Sequence, residues 1–200
     1  MRHSVAVCIL AASMALAETI VAQQPPVQPS VRRVITTLDN TGKAIVMADG
    51  PVALRPERSR NPVGDLWITD KSPADFSWTT DRAAKPVGLT PPLNGTIFRV
   101  VDFPPVTPDM DKLDVNTMMK VVGDHAPKRG LPPKHPMMHR TRSLDYALVM
   151  SGEIDMMLDQ DTVHLKAGDV VIQQATNHAW INRGKVPARV AFILIDSQEP

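Results

Sequence analysis

The sequence predicts an all-β domain, an antiparallel sandwich or barrel with an N-terminal extension and one short helix. Three observations carry this expectation. Short β-like runs and tight turns alternate at roughly eight- to ten-residue spacing through the C-terminal third. No proline falls between Pro136 and Pro187, although the chain holds 19 of them, so the strand signal is strongest where nothing interrupts it. Hydrophobic residues make up 43% of 200 residues, enough apolar material for one core.

Taken in order, Met1-Arg2-His3 is a short, positively charged start, and the apolar stretch from Val5 to Ala17 has the length of a secretory signal and is too short to span a bilayer. The small residues of Ala15-Leu16-Ala17 offer a cleavage site before Glu18, with a poorer one after Ala22. Residues 1–17 are therefore expected to be a signal peptide, and the protein to be exported, periplasmic or extracellular, with no membrane association after cleavage. Cys8 lies inside the apolar stretch behind Val7, where a lipid anchor would need a small residue, so it reads as a small apolar side chain. It is the chain's one cysteine, and the mature protein is expected to form no disulfide.

Residues 18–32, with Gln23-Gln24-Pro25-Pro26 and Pro29, read as a flexible or polyproline-like lead. Residues 33–134 alternate strands (Val34 to Leu38, Ala44 to Met47, Thr96 to Val101) with Pro- and Asp-rich turns. A helix is expected within 109–123, with Met110, Leu113, Met118 and Val121 near one face and Gly123 as its stop. From 135 to 196 six strands follow: Tyr146 to Met150, Ile154 to Leu158, Thr162 to Leu165, Val170 to Gln173, His178 to Ile181 and Arg189 to Ile195. No repeat of solenoid period is present.

The net charge of +1 and the lack of a long basic run exclude a nucleic-acid binder, whose affinity comes from clustered Lys and Arg. Arg55, Arg58 and Arg60, offset by Glu57, read as a solvated loop. There is no Gly-x-Ser-x-Gly elbow, no phosphate-cradling Gly-rich loop and no His-Glu-x-x-His.

The run Gly168-Asp169-Val170-Val171-Ile172-Gln173-Gln174-Ala175-Thr176-Asn177-His178-Ala179-Trp180-Ile181-Asn182 resembles the second motif of the cupin superfamily. Gln173 stands in place of its Pro and Ala175 in place of its Gly, while His178 and Asn182 match. His139, Asp145 and Gly152 fit the first motif with Thr141 at the second histidine and Asp145 for its Glu; an alternative register makes His139 the second histidine and Met137 the first. Either way one histidine is lacking. The segments Arg33 to Ile35, Gly95 to Pro105, Met138 to Thr141 and Thr176 to Trp180 are similar to small single-cupin proteins, some of them fungal cupin-domain oxidoreductases. The resemblance implies a double-stranded β-helix, a jelly-roll barrel, and a homodimer.

It further implies a metal site from His139, Asp145 and His178, a 2-His-1-carboxylate set with open positions for substrate or O₂ on one divalent Fe, Mn, Zn or Ni. Asp reaches one methylene less far than Glu, so Asp145 has a second reading as a hydrogen-bond partner of either histidine. His135, in a Pro-rich loop, is a reserve ligand set against an exposed loop histidine, and His125 and His164 read as surface residues. Trp180 shares the inward face of His178 and is core or pocket wall; Thr141 and Tyr146 are further pocket residues. The expected ligand is a small organic molecule. The expectations for function are a metal-dependent oxidoreductase or dioxygenase-like enzyme, a metal-free small-molecule-binding cupin, or a non-redox lyase or isomerase with His178 as general base.

Overall fold

A computed structural model describes residues 29–56, 61–76, 80–84, 87–110, 112–127, 130 and 132–199. The expected signal peptide with Cys8 and its cleavage sites, most of the Pro/Gln-rich lead, and Arg58 and Arg60 lie outside these residues. Among the described residues ten strands and one α-helix form, and every pair of these strands is antiparallel. The strands are β1 (Ser30–Leu38), β2 (Ala44–Ala53), β3 (Val63–Thr69), β4 (Thr96–Phe103), β5 (Ser143–Ser151), β6 (Glu153–Met157), β7 (Thr162–Lys166), β8 (Val170–Gln174), β9 (Ala179–Ile181) and β10 (Ala188–Asp196). β1 begins at Ser30, so the last residues of the expected flexible lead are strand, held by pairing with β2. β3 was not visible to sequence pattern, because Val63-Gly-Asp-Leu-Trp-Ile-Thr is buried almost throughout and does not alternate.

Two sheets face each other. One has the order β3-β4-β10-β5-β8, the other β7-β6-β9, and β1 pairs with β2 as a separate hairpin. Alternation along β10 turns Ala188, Val190, Phe192 and Leu194 inward, and along β5 it turns in Ser143, Asp145, Ala147 and Val149. These meet Ile154, Met156, Leu165 and Trp180 from the smaller sheet in one core. The layering is that of a jelly roll, two sheets burying their inner faces against each other.

Two turns fix where the site falls. Gly152 joins β5 to β6 with φ of 74°, and a Cβ there would come within 2.9 Å of the Pro187 carbonyl oxygen, so the hairpin closes only on glycine. Ala175, after β8, also has a positive φ of 50°. For a residue bearing a Cβ that conformation costs about 1–2 kcal/mol. It is held by the Ala175 N–H donating to the Ser143 carbonyl at 3.1 Å and by Arg140 Nε donating to the Ala175 carbonyl at 2.9 Å.

The helix α1 (Val115–Val122) lies inside the expected window. The Asp114 carboxylate caps it, accepting from the Thr117 N–H at 2.7 Å, and Gly123 ends it with φ of 61°.

Candidate functional site

The segment before β5 and the one before β9 are tied by an isolated antiparallel bridge. The His139 N–H donates to the His178 carbonyl at 2.9 Å, and the His178 N–H returns a bond to the His139 carbonyl at 3.0 Å. Residues exchanging both bonds stand directly opposite with side chains on one face. The two imidazoles therefore lie together, ring centres 4.3 Å apart.

Each ring is oriented by its own backbone. Nδ1 of His139 lies 3.0 Å from the Met137 carbonyl, and Nδ1 of His178 lies 2.9 Å from that of Thr176. A carbonyl only accepts, so both Nδ1 atoms carry the proton and both Nε2 atoms keep a lone pair. Burial, above all, pushes both histidines below the usual imidazole range, His178 to about 3 with the neighbouring His139 adding to the shift. Both are neutral at pH 7.

The pair lines a cavity of about 430 Å³ with Asp145, Thr141, Arg99, Trp180 and Phe192, and Met118 of α1 reaches the same space. Its walls are mostly apolar. Asp145 is turned inward from β5, and one carboxylate oxygen, Oδ2, accepts from Gln173 Nε2 at 2.8 Å across the β5–β8 pair. The other, Oδ1, is buried without a hydrogen-bond partner. Burial pushes this carboxyl up to about 6, with the Ser143 and Thr141 hydroxyls and the Arg99 charge pulling the other way. Arg99 is paired with Asp65 at 3.0 Å, both side chains buried, and donates to the Gly88 carbonyl at 3.0 Å.

The expected residues fall as follows. His139, His178, Asp145, Thr141 and Trp180 share the cavity. Trp180 is at once core and wall, packed at 5.3 Å on Phe192 and edge-on to His178 at 6.4 Å. Tyr146 does not line the cavity: with Asp145 turned in, the period of two turns Tyr146 outward to solvent. His135 is neither an exposed loop residue nor part of the cavity lining, being buried with Nδ1 accepting from the Met137 N–H at 3.1 Å. His164 is exposed and bonded to Asp155 at 2.8 Å. Asn182 is spent on the backbone, donating to the Phe103 and Val186 carbonyls.

Two Nε2 lone pairs on carbonyl-anchored imidazoles suit two corners of an ion. A third donor does not join them: Thr141 stands where a second first-motif histidine would, and Asp145 is short and tied to Gln173. Among the described residues no group of three or more His, Cys, Asp or Glu could hold a metal ion. The facial set expected from the sequence is thus not assembled, and no step is derived through a metal.

Arg99, Asp65 and Gln173 are site residues that pattern reading passed over. The signal for the first two was a charge at an inward position of an apolar strand, Asp65 in Val63–Thr69 and Arg99 in Thr96–Phe103. Gln173 was visible only as a departure from a motif.

Fold and site together define a class: a β-sandwich barrel with a largely apolar cavity, and two neutral histidines bridged at its wall. The cupin domain model matches residues 127–195. Phomopsin biosynthesis cluster protein C' of Diaporthe leptostromiformis is 28% identical over 186 residues, covering 88% of this chain and 84% of that protein. The cupin-domain-containing oxidoreductase srdD of Neurospora crassa is 28% identical over 141 residues, covering 67% of this chain and 58% of its own. A Cupin 2 conserved barrel domain protein from Salinispora arenicola aligns with a TM-score of 0.37 at 12% identity, over 72% of this chain and 81% of its own. The chain thus carries a match to the cupin domain over its C-terminal third and is similar to cupin-domain-containing oxidoreductases.

Proposed function

We propose that this chain is an enzyme that transfers protons on a small, largely apolar organic molecule bearing a hydroxyl or an enolisable carbonyl, an isomerase or lyase without a redox step. The carrying observation is that one apolar cavity is lined by two imidazoles fixed as acceptors at Nε2 and by the carboxyl-bearing Asp145. The Nε2 lone pairs receive a substrate hydroxyl. Asp145, with its carboxyl pushed up to about 6, exchanges a proton with the substrate, because a group poised near the working pH both takes and returns protons well. Trp180 and Phe192 supply the apolar wall that excludes water. Similarity to proteins named for biosynthesis clusters supports a small organic substrate.

A second reading, a metal-dependent oxidoreductase, is favoured by the paired Nε2 lone pairs and by the relatives' names. One experiment separates the two. The protein, purified without a histidine tag and dialysed against chelator, is incubated in D₂O with a panel of small phenols and enolisable ketones, and deuterium uptake is read by NMR. Uptake that survives chelation and falls at least ~100-fold in Asp145→Asn is the expected result. Near-stoichiometric metal, lost in both His139→Ala and His178→Ala, together with activity abolished by chelator, would move the pair to the metal reading.

Export is part of the proposal, resting on the charged start and apolar stretch of residues 1–17. Mass spectrometry of protein recovered from a secretion-competent host should find Glu18 at the N-terminus; an intact Met1 chain held in the cytoplasm would overturn it.

A further inference from the structure

We propose that a second, polar cleft behind the histidine pair binds one small carboxylate on Arg140 and Arg142 in exchange for Glu199, and that His139 and His178 respond to its occupancy. The cleft measures about 340 Å³ and is lined by Thr90, Asp124, His125, Arg140, Arg142 and Glu199. It shares a wall with the apolar cavity. Residues 139–142 alternate: His139 and Thr141 line the cavity, while Arg140 and Arg142 line the cleft. That is the period of two of an extended chain, so a single segment separates the two pockets.

Arg140 joins the cleft to both histidines. It follows His139 directly, and its own N–H donates to the His125 carbonyl at 2.7 Å. Its side chain is only 11% exposed, and Nε donates to the Ala175 carbonyl at 2.9 Å. Ala175, held at its positive φ, leads into Thr176, whose carbonyl orients the His178 ring. A force on this guanidinium therefore reaches the segment of each histidine through a contiguous set of bonds.

The ligand class follows from what the guanidinium already holds. Arg140 Nη2 donates to a carboxylate oxygen of Glu199 at 2.7 Å, and the Glu199 side chain is 60% exposed. A carboxylate so open to water is weakly held and exchanges with one from solution. A free ligand finds further donors among the lining residues. Arg142 Nε is buried with no hydrogen-bond partner among the described residues, and His125 and Thr90 face each other with Nδ1 and Oγ1 3.3 Å apart. Charge sets the valence. Arg142 Nη2 is already met by Asp196 at 2.9 Å, and Asp124 is exposed at the cleft. These two carboxylates repel a second negative charge, so the cleft suits a monocarboxylate with polar substituents and disfavours a phosphate dianion.

The test is titration of the isotope-labelled full chain with lactate, chloride holding the ionic strength constant, with the arginine Nε–H and histidine ring signals read by NMR. The Arg140 and Arg142 signals should shift saturably, and the His139 and His178 ring signals should follow with the same midpoint. A tethered group competes at an effective concentration on the order of millimolar, so Glu199→Gln should bind lactate at least ~10-fold more tightly than the parent. Arg142→Met should bind it at least ~10-fold more weakly, a charge-assisted donor having gone. Circular dichroism checks that Arg142→Met is folded; Glu199→Gln, at an exposed position, carries the test if it is not. Inorganic phosphate at pH 8 should bind more weakly than lactate. No saturable shift in Glu199→Gln by about 50 mM lactate, well above that effective concentration, overturns the site, as does binding indifferent to both substitutions. Phosphate bound more tightly than lactate overturns the carboxylate class. Guanidinium signals that shift while both ring signals stay still overturn the coupling. Binding is read independently of the proton transfer proposed for the cavity, and lactate retained by Arg142→Met but lost in His178→Gln sits in that cavity and overturns the cleft.

Discussion

Arg99→Met is expected to destabilise the fold by about 3–5 kcal/mol, because it removes the guanidinium that pairs with the buried Asp65 carboxylate. Asp65 and Arg99 are directly paired residues on β3 and β4, their side chains only 1% and 9% exposed. Taking two charges out of water costs several kcal/mol per ion, and the pair recovers this only while both members are present. Asp65→Leu should cost a similar amount for the mirror-image reason, the buried guanidinium then losing its carboxylate. The double variant should recover most of the loss, since apolar side chains of similar size can replace a buried pair at little net cost. Urea unfolding of the four proteins gives the cycle. A single-variant loss below about 1 kcal/mol, or a double variant no better than the sum of the singles, would show that the pair is not the strut at this wall.

The second large effect is in the dependence of stability on pH. His178 is held near 3 against an ordinary value of 6.5, so the fold prefers the neutral ring. Its contribution is complete above pH 6.5 and is lost as pH falls towards 3, about 5 kcal/mol in all at 1.36 kcal/mol per unit. His139, shifted the same way, adds to that loss. Asp145 runs oppositely. Its folded value of about 6 lies above the ordinary 3.8, so its contribution is complete below 3.8 and is lost as pH rises through 6, about 3 kcal/mol.

Between pH 6 and 4 the two slopes nearly cancel, and the parent should change little apart from the His139 share. Asp145→Asn removes one side of the balance. Its stability should fall by about 1.4 kcal/mol per unit of pH below 6.5, while at pH 8 it should exceed the parent. His178→Gln should be flatter in acid than the parent. Gln173→Leu, which frees Asp145 Oδ2 without adding a titrating group, is the control for mere disturbance of β8. Urea unfolding at pH 4 to 8 measures all four, and parallel curves for the parent and Asp145→Asn would show that Asp145 does not titrate near 6.

How much of this could be read before folding differs from residue to residue. The strands from Tyr146 onward were legible because each alternates, or is bounded by a tight turn, and such patterns are local. His178 and Trp180 fell on one inward face for the same reason. Tyr146 was misplaced by the same periodicity, since reading Asp145 inward already required Tyr146 outward. β3 escaped because its seven residues are buried almost throughout, one face lying under the hairpin segment of Val31, Val52 and Leu54, so no alternation remained to be seen.

The sequence by itself determined the all-β architecture, the helix stop at Gly123, the glycine at the Gly152 turn and the shared inward face of His178 and Trp180. These follow from spacing, from backbone freedom and from side-chain chemistry, which are properties of neighbouring residues. Only the tertiary structure decided that His139 and His178, 39 positions apart, exchange backbone bonds and hold their ring centres 4.3 Å apart, that Asp145 turns to Gln173 instead of completing a donor group, and that Arg99 finds Asp65. Those are pairings across strands. Cross-strand register is fixed by the sum of many weak contacts over the whole sheet, so no short stretch of chain carries it.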